Sequence, residues 1–344
     1  MSVGQVTERE TMRALVAGGY GPPGELAVAE LPVPVPGPGQ VLVRVAAAAL
    51  NPADLRLLGG AFREAVPLAF PHVPGSDFAG EVVAVGPGGG RFAVGARVFG
   101  HGLPRAAGAM AEQAASPPSF TTGAMAEFAL FESGTPGLAP VPEGLSPERA
   151  ATLPIPGLTA LALLREGRFS PGETVLVLGA AGGVGGALVP LLAAAGARVI
   201  GTAIPADAEY VRGLGAAEVL DYRSVDPAEE ALRRVAGGVD ALVNLALPGP
   251  ALTAAARAVR PGGRVLNAAF PSQDPGEFAR AWPRLTGRTV LMSAREGALA
   301  ELAEKARTGV LPDTISRRYG LAEAPRAYAD LAGRHVRGKL VVVM

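Results

Sequence analysis

Three glycines, Gly179, Gly182 and Gly185, lie between two apolar segments, TVLVL and ALVPLLAA. Glycine permits the tight turn and the close backbone approach that a pyrophosphate requires, and the free N–H groups at the start of a helix bind phosphate oxygens. A third apolar segment, RVIGTA, follows at the spacing of a β-α-β unit. This context predicts a dinucleotide site, and a glycine-rich turn without a ligand is the alternative. The predicted contacts are Gly179, Ala181, Gly182, Gly183, Val184 and Gly185.

The end of the strand after this loop bears on the choice between NADH and NADPH, because an Asp or Glu there would hold the ribose 2′-hydroxyl of NADH. The strand ends at Ala203, and no carboxylate occurs before Asp207. The missing acid favours NADPH, with NADH as the alternative. Arg212 and Arg223 are candidates for a contact to the 2′-phosphate.

A second segment with polar residues at suggestive spacing is ALNPADLRLLGG, residues 49–60. Asn51 followed by Pro52 and Asp54 is typical of a helix start. The Asn side chain accepts from a free backbone N–H, Pro suits the first helical position, and Asp favours the positive end of the helix. The residues alone therefore predict a helix cap.

Composition limits the classes of protein that the chain can belong to. Its 344 residues suggest two domains, at roughly 150 residues each. Hydrophobic residues make up 49% and charged residues 18%, and the formal net charge is zero. These values indicate a large core and argue against a disordered or nucleic-acid-binding protein. The absence of Cys excludes disulfides, thiolate nucleophiles and every Cys-built metal site.

Targeting signals and metal clusters are not evident. The N-terminal residues lack the apolar run of a signal peptide, and no apolar stretch reaches the ~18 residues of a membrane span. A cytoplasmic protein that does not enter membranes is expected. His72, His101 and His335 are scattered and predict neither a metal site nor a catalytic triad.

The apolar periodicity changes along the chain. Up to about residue 135, alternating patterns separated by Pro-Gly turns predict a mostly antiparallel β unit. From Glu173 onward, strands alternate with helices, which predicts an α/β domain with a doubly wound parallel sheet. Residues 101–122, before the strand GAMAEFAL, are interpreted as a surface loop, with an active-site lid as the alternative. Helices are expected over 183–195, 206–214, 228–235, 250–259 and 298–307.

These segments occur in the order found in a known family. ALNPADLRLLGG, FPHVPGSDFAGEVVAVG, GAMAEFAL, PVPEGLSPERAATLPIPGLTALALL, GETVLVLGAAGGVG and VRGKLVVV resemble the zinc-independent quinone oxidoreductase branch of the medium-chain dehydrogenase/reductase superfamily over nearly the whole chain. The resemblance implies a mostly β GroES-like substrate domain in residues 1–138 and a Rossmann dinucleotide-binding domain in 139–308. Residues 309–344 would complete the first domain. It also implies a homodimer, with the segment RTVLMSAR as a pairing edge strand.

Zinc ligands are missing where related enzymes carry them. In the zinc-dependent members that this branch is similar to, a metal-binding Cys occupies the position of Asn51, and a metal-binding His followed by Glu occupies those of Ser76 and Asp77. Asn and Ser are poor zinc ligands. A four-cysteine zinc lobe would fall within residues 101–122, which contain no Cys. The resemblance therefore implies an enzyme without a metal.

Without a Lewis acid, oxidation of an unactivated alcohol is hard to stabilise, whereas a carbon conjugated to a carbonyl accepts hydride readily. The expected function is an NADPH-dependent, metal-free reduction of a quinone, enone or enal, with the developing enolate held by hydrogen bonds. One alternative is an enoyl reductase of a biosynthetic pathway. Another is a non-catalytic NADPH-binding protein with a structural or regulatory role.

Two residues are candidates for the chemistry. The Asn51 amide is a candidate donor to the substrate carbonyl or to the nicotinamide ribose, with the helix cap as the alternative. Arg56 stands where several relatives carry a Tyr that lines the site. It is interpreted either as a ligand for a substrate oxygen or as a solvated surface arginine. The proton donor is not assigned, and water is a candidate.

Other cofactor contacts are carried over by resemblance. Thr159 matches the residue that approaches the nicotinamide amide, and Tyr222 matches a position near adenine. Asn267 and Phe270 follow a sheet strand where nicotinamide lies in relatives. Lys339 would reach the cofactor from the last strand. Each also has an ordinary structural interpretation as a helix, core or strand-end residue.

Overall fold

The computed structural model describes residues 10–108, 118–269 and 274–344. They divide into two compact units. The first contains the described residues up to Ile155 together with Ala294–Arg307 and Asp313–Met344, and the second contains Pro156–Ser293 and Thr308–Pro312. This division falls later than the boundary expected after residue 138, because the strand that starts at Leu138 is hydrogen-bonded in the sheet of the first unit.

The first unit is built on a mostly antiparallel nine-stranded sheet, as predicted, with a separate two-stranded sheet of β1 and β2. Its central strand pairs with two neighbours and also with the C-terminal strand, which places distant parts of the chain side by side. Its strands are β1 (Thr11–Val16), β2 (Ala27–Pro32), β3 (Gln40–Ala49), β4 (Asp77–Val85), β5 (Arg97–His101), β6 (Leu103–Pro104), β7 (Phe120–Thr121), β8 (Phe128–Glu132), β9 (Leu138–Pro140), β16 (Ile315–Gly320) and β17 (Lys339–Val343).

The core of the first unit lies against this sheet. Phe78 and Phe131 stack with ring centroids 3.6 Å apart, and both are fully buried. Strand β3 is buried at nearly every position because neighbouring strands and packed helices cover it, which explains its almost continuous apolar sequence. The helices of this unit are α1 (Pro52–Leu58), α2 (Pro147–Ala151), α9 (Ala298–Arg307) and α10 (Ala324–Gly333).

The second unit contains the predicted parallel sheet, in the order β12-β11-β10-β13-β14-β15. Every pairing in it is parallel, and the order reverses between β10 and β13, as in a doubly wound Rossmann sheet. Its strands are β10 (Thr174–Leu178), β11 (Arg198–Ala203), β12 (Glu218–Asp221), β13 (Val239–Asn244), β14 (Val259–Asn267) and β15 (Thr286–Thr289).

The α-helices of the second unit connect these strands. The chain enters the unit within α3 (Pro154–Gly167). The others are α4 (Gly183–Ala194), α5 (Ala208–Gly213), α6 (Pro227–Arg234), α7 (Gly249–Ala255) and α8 (Pro275–Ala281). Short 3-10 helices cover Pro23–Glu25, Arg105–Ala107, Pro205–Asp207, Ala256–Ala258 and Leu321–Glu323. Among the described residues, no helix combines the length and the apolar character needed to cross a membrane.

Two local expectations were wrong. The strand expected over RTVLMSAR is displaced, since β15 covers Thr286–Thr289 and no strand follows it up to α9. All four of its residues are exposed, as an edge strand permits, so apolar patterning did not locate it. The expected loop over 101–122 contains β6 and β7, which pair with each other. Its residues 109–117 lie outside the described residues, as does Phe270.

Candidate active site

A cluster of buried polar side chains lies in the first unit, where strand β3 ends and strands β4 and β17 begin. It contains Asn51, which precedes α1, Asp54 in α1, Ser76 and Asp77 at the start of β4, and Lys339 at the start of β17. None is more than 6% exposed. Burial of this many polar groups is costly unless each is hydrogen-bonded, so their partners decide what the cluster can do. We call these five residues the buried polar cluster.

The sheet register explains why these residues meet. In β3, Ala49 lies opposite Asp77 of β4 on one side and opposite Val341 of β17 on the other. The backbone N–H of Leu50 then donates to the carbonyl of Leu340. The end of β3 therefore brings the start of α1 beside the starts of β4 and β17.

Lys339 carries the positive charge of the buried polar cluster. Its Nζ donates to the carbonyl oxygen of Leu50 and to Oδ1 of Asn51, each at 2.6 Å, and lies 3.8 Å from Oδ2 of Asp77. Burial lowers the pKa of Lys339, and the charges of Asp77 and Asp54 oppose that shift. The ammonium is thus held by both neutral and anionic oxygens.

The two carboxylates of the cluster have different partners. Asp54 accepts from the Asn51 N–H at 3.0 Å and from the Ser76 hydroxyl at 3.1 Å. Asp77 accepts from Asn51 Nδ2 at 3.0 Å and from the Ile155 N–H at 3.1 Å. Burial raises the pKa of Asp54 to about 6 and that of Asp77 to about 7, although these hydrogen bonds and the Lys339 charge act in the opposite direction.

Asn51 is the N-cap residue of α1, and Asp54 in the first turn accepts from its backbone N–H, as the predicted helix start requires. The Asn51 side chain also has distant partners. Its Oδ1 accepts from Lys339, and the Asp54 N–H donates to the Asn51 backbone carbonyl. One Nδ2 contact is made to Asp77, and the other, to the Ala49 carbonyl, is long at 3.5 Å. That weakly used N–H is the donor that Asn51 has left for a substrate, and such a contact stays a prediction.

Lys339 and Arg56 were both predicted as ligand contacts. The Lys339 ammonium is bonded inside the first unit, so a cofactor contact would require it to give up present partners. Arg56 lies on α1 and is half-buried. The two predicted roles remain untested, but Lys339 has a structural role that its place in the motif GKLV did not reveal.

His101 is a further buried group beside the cluster. It lies opposite Asp77 in the β4–β5 register, is 2% exposed, and its Nδ1 has no hydrogen-bond partner within the described part of the chain. Burial lowers its pKa to about 4.

A pocket in the same unit is lined by Asp54, Ser76, His72 and Thr121, among others. Burial also lowers the pKa of His72 to about 4.

In the second unit, the predicted glycine loop follows β10. Gly179 has a φ of +87°, which favours glycine, and its N–H donates to Thr202 Oγ1 at 3.0 Å. A Cβ on Gly185 would clash with the Ala180 carbonyl, whereas a Cβ on Gly182 would meet only the Gly179 oxygen at 3.6 Å. Thr202, which sequence reasoning did not single out, therefore fixes the first turn of the loop.

The remaining loop residues lead into the helix. Ala181 is buried, and α4 begins at Gly183 and continues with Val184. The loop thus presents the start of a twelve-residue helix at the carboxyl edge of the sheet, where β10 meets β13. This edge, at the reversal of strand order, is where doubly wound sheets bind ligands.

The tip of the next strand carries no acid of its own. Ala203 is buried, but in the parallel register it lies beside Asp221, the last residue of β12. Tyr222 and Arg223 follow and are exposed, and the Arg223 N–H donates to Asp221 Oδ1 at 3.0 Å. Arg212 is exposed on α5. Counting residues along β11 could not identify Asp221, because only the strand register shows that Asp221 lies beside Ala203.

Two asparagines end neighbouring strands at the same edge. Asn244 Nδ2 donates to Asn267 Oδ1 at 2.8 Å, and Asn244 Oδ1 accepts from the Leu247 N–H at 2.8 Å. Asn244 had no predicted role, and it now fixes both the loop after β13 and the Asn267 amide. Thr159, on α3, is also buried.

Comparison with known proteins identifies relatives of the whole chain. Residues 37–143 match the family model of the alcohol dehydrogenase GroES-like domain, and 214–342 match that of the zinc-binding dehydrogenase. The chain is 31% identical to the chloroplastic quinone-oxidoreductase QR1 of Triphysaria versicolor over 96% of its own length and 98% of that protein.

Solved structures give the same fold. The quinone oxidoreductase of Coxiella burnetii superposes with a TM-score of 0.85 at 27% identity, covering 97% of this chain and 99% of that one. An NAD-dependent alcohol dehydrogenase superposes with a TM-score of 0.83 at 32% identity, covering 97% and 100%. The likeness therefore extends over both units.

The name of one matching family model implies zinc, but the buried polar cluster does not fit that metal. It offers two carboxylates, an amide and a hydroxyl, and no thiolate or imidazole. The Lys339 ammonium, within hydrogen-bond distance of Asn51 Oδ1, opposes entry of a second cation. No group of three or more His, Cys, Asp or Glu residues suited to a metal occurs in the described ranges.

The low pKa of His101 generates a prediction. Between pH 6.5 and about 4 the unfolded chain is protonated at this residue and the folded protein is not, so the contribution of His101 to stability falls by about 3 kcal/mol as pH falls through that range. We expect His101→Asn, which cannot be protonated there, to lose less stability between about pH 7 and about pH 4 than the unaltered protein. Urea unfolding measures the difference. The exposed His335→Asn is the control, and an unchanged pH dependence in His101→Asn would refute the assignment.

The glycine loop generates a second prediction. Gly182→Ala has room for its methyl group, so we expect it to fold with a free energy of unfolding within about 1 kcal/mol of the original. The methyl group would occupy space that a phosphate needs, so dinucleotide affinity should fall at least about tenfold. Gly185→Ala should instead lower stability, because it clashes inside the protein. Calorimetric titration and thermal unfolding measure the two effects, and full affinity in Gly182→Ala would contradict the assigned loop.

Proposed function

We propose that this chain, which belongs to the medium-chain dehydrogenase/reductase superfamily and has quinone oxidoreductases among its relatives, is an NADPH-dependent reductase of quinones, enones or enals that works without a metal. The observation that carries the proposal is the buried polar cluster. An amide and a lysine ammonium are held there, and the five residues of the cluster include no thiolate or imidazole that could bind a Lewis acid. Although His101 lies beside the cluster, the described residues contain no group of three or more side chains suited to a metal.

The dinucleotide would be held by the second unit. The N–H groups at the start of α4 would bind the pyrophosphate, and the turn at Gly179, fixed by Thr202, leaves the backbone open to it. Asn267, fixed by Asn244, and Thr159 are the proposed contacts to the nicotinamide end. When bound, the reduced nicotinamide supplies the hydride.

NADPH is proposed because the strand that ends at Ala203 has no terminal carboxylate. Asp221 lies beside that position, but one of its oxygens already accepts from the Arg223 N–H. The Arg223 and Arg212 side chains are both exposed, and either supplies the cation that a 2′-phosphate requires. Tyr222, which is exposed and directly precedes Arg223, is the proposed neighbour of the adenine.

The first unit would bind the carbonyl end of the substrate. Hydride addition to a conjugated acceptor moves negative charge to the carbonyl oxygen, and a donor fixed in advance stabilises that charge. The Asn51 amide is held rigidly, with one N–H weakly used. Arg56 on α1 is the second proposed donor. The proton that completes the reduction is proposed to come from water.

We also propose that the protein is a cytoplasmic homodimer that acts on small molecules and not on nucleic acid. The neutral net charge supports the absence of a nucleic-acid partner. Strand β15, an edge of the parallel sheet of the second unit, is a candidate for pairing with a second copy.

Cofactor preference is tested by fluorescence titration of NADPH and NADH. We expect tighter binding of NADPH, and we expect Arg223→Ala to reduce that preference by about tenfold through loss of a charge-assisted contact. Arg284→Ala, on a loop of the same unit, is the control for a general loss of charge. Tighter binding of NADH by the unaltered protein would refute the NADPH assignment.

Activity is tested with a panel of quinones, enones and enals, an enoyl thioester and a simple alcohol. We expect turnover of conjugated acceptors with NADPH, no oxidation of the alcohol, and no stoichiometric zinc by elemental analysis of the purified protein. Selective turnover of the enoyl thioester would favour the biosynthetic enoyl reductase. Cofactor binding without any turnover would favour the non-catalytic alternative, and one zinc per chain would overturn the metal-free proposal.

A further inference from the structure

Lys339 is one of only two lysines in the chain and is 4% exposed. A lysine is almost never fully buried unless it is paired, because an ammonium loses its hydration in the interior. The other lysine, Lys305, lies on α9 with a side chain that is 33% exposed, and its ammonium is 3.6 Å from Glu301. Lys339 therefore requires an explanation that Lys305 does not.

The surroundings of Lys339 supply the explanation. Two carboxylates, Asp54 and Asp77, are buried in the same cluster and are 2% and 0% exposed. Side-chain hydrogen bonds from Ser76 and Asn51 satisfy some of their oxygens, but neutral donors do not balance charge. Lys339 is the cation whose charge favours ionisation of both carboxylates. The ammonium thus offsets one of the two negative charges that the cluster carries when both acids are ionised.

Lys339 also fixes an orientation. Asn51 Oδ1 accepts from the ammonium, so its Nδ2 is directed to Asp77. A free amide could turn over and exchange its donor and acceptor ends, but the cation on one side and the carboxylate on the other allow only one arrangement. The backbone of Lys339 is held as well, since its N–H donates to the Thr314 carbonyl at 2.9 Å.

We infer that the Lys339 ammonium is a built-in cation of this fold, which offsets part of the negative charge of the buried Asp77 and Asp54 and orients the Asn51 amide. It is a positioning residue, because it acts through Asn51 and no contact with a reacting group is assigned to it. An ammonium carries one charge and donates hydrogen bonds, whereas a zinc ion carries two charges and accepts lone pairs. Amide and carboxylate oxygens suit the ammonium.

The inference is tested by charge compensation. Lys339→Met keeps a long unbranched side chain and removes the charge, so it leaves two buried carboxylates without a cation. We expect its thermal midpoint to fall by about 10 °C or more. Adding Asp77→Asn removes one uncompensated charge at nearly constant shape, so the double variant should recover at least half of that loss. Lys305→Met is the matched control and should shift the midpoint by less than about 2 °C.

The rescue separates a charge role from simple packing. If Lys339 only filled space, Asp77→Asn would add its own loss to that of Lys339→Met, and the double variant would be less stable than either single variant. That result, or a double variant that does not fold, would overturn the inference. If Lys339→Met alone does not fold and the double variant does, the inference is supported.

A second measurement uses the unaltered protein. Reductive methylation modifies accessible amines, and mass spectrometry of peptides locates the products. We expect Lys305 to be methylated in the folded protein and Lys339 to react only after unfolding. Equal labelling of the two lysines would contradict a buried ammonium. Both tests use protein without cofactor or substrate, so a failed quinone assay leaves the inference standing, and failed charge compensation leaves the proposed activity open.

Discussion

The arrangement of the first unit depends on one buried ionic interaction. The Lys339 ammonium contacts Leu50 and Asn51 and lies near Asp77, so it joins the starts of β17, α1 and β4. Removing one member of this interaction would leave an uncompensated charge in the protein interior, which costs several kcal/mol. The three segments are therefore constrained together, and the geometry of the candidate site follows from this constraint more than from any one segment.

In the second unit, burial of apolar strands and neutral hydrogen bonds take the place of a buried ionic interaction. Its central strand β10 is apolar and buried at every position, and β13 is buried at all positions but Asp240. Asn244 and Asn267 are the last residues of β13 and β14. There, Thr202 fixes the glycine turn and Asn244 fixes Asn267, both through neutral hydrogen bonds. Such bonds set positions without introducing charge, which suits an edge that must accept an anionic dinucleotide. The first unit thus offers fixed polar side-chain donors, and the second unit offers backbone N–H groups.

Local sequence patterns predicted the features that depend on neighbouring residues. The helix expected over 298–307 has those bounds, and the glycine loop lies between β10 and α4 as expected. Features that depend on distant partners were missed. Asn51 was predicted as a donor to a ligand or as a helix cap, and neither alternative included its contact with Lys339, which is 288 residues away. Asp221 was overlooked beside Ala203 for a similar reason, since strand register and not spacing places it there.

The same long-range partner changes how the absence of zinc ligands is understood. Two buried acids without a nearby cation would be costly to keep ionised. With Lys339 present, the acids are satisfied from within the chain, and Asn51 takes a fixed orientation. An ammonium cannot accept an alkoxide lone pair as a Lewis acid does, but an oriented amide can donate to a developing enolate. The proposed reduction of conjugated substrates asks only for such a fixed donor, because the conjugation of the substrate itself carries the charge.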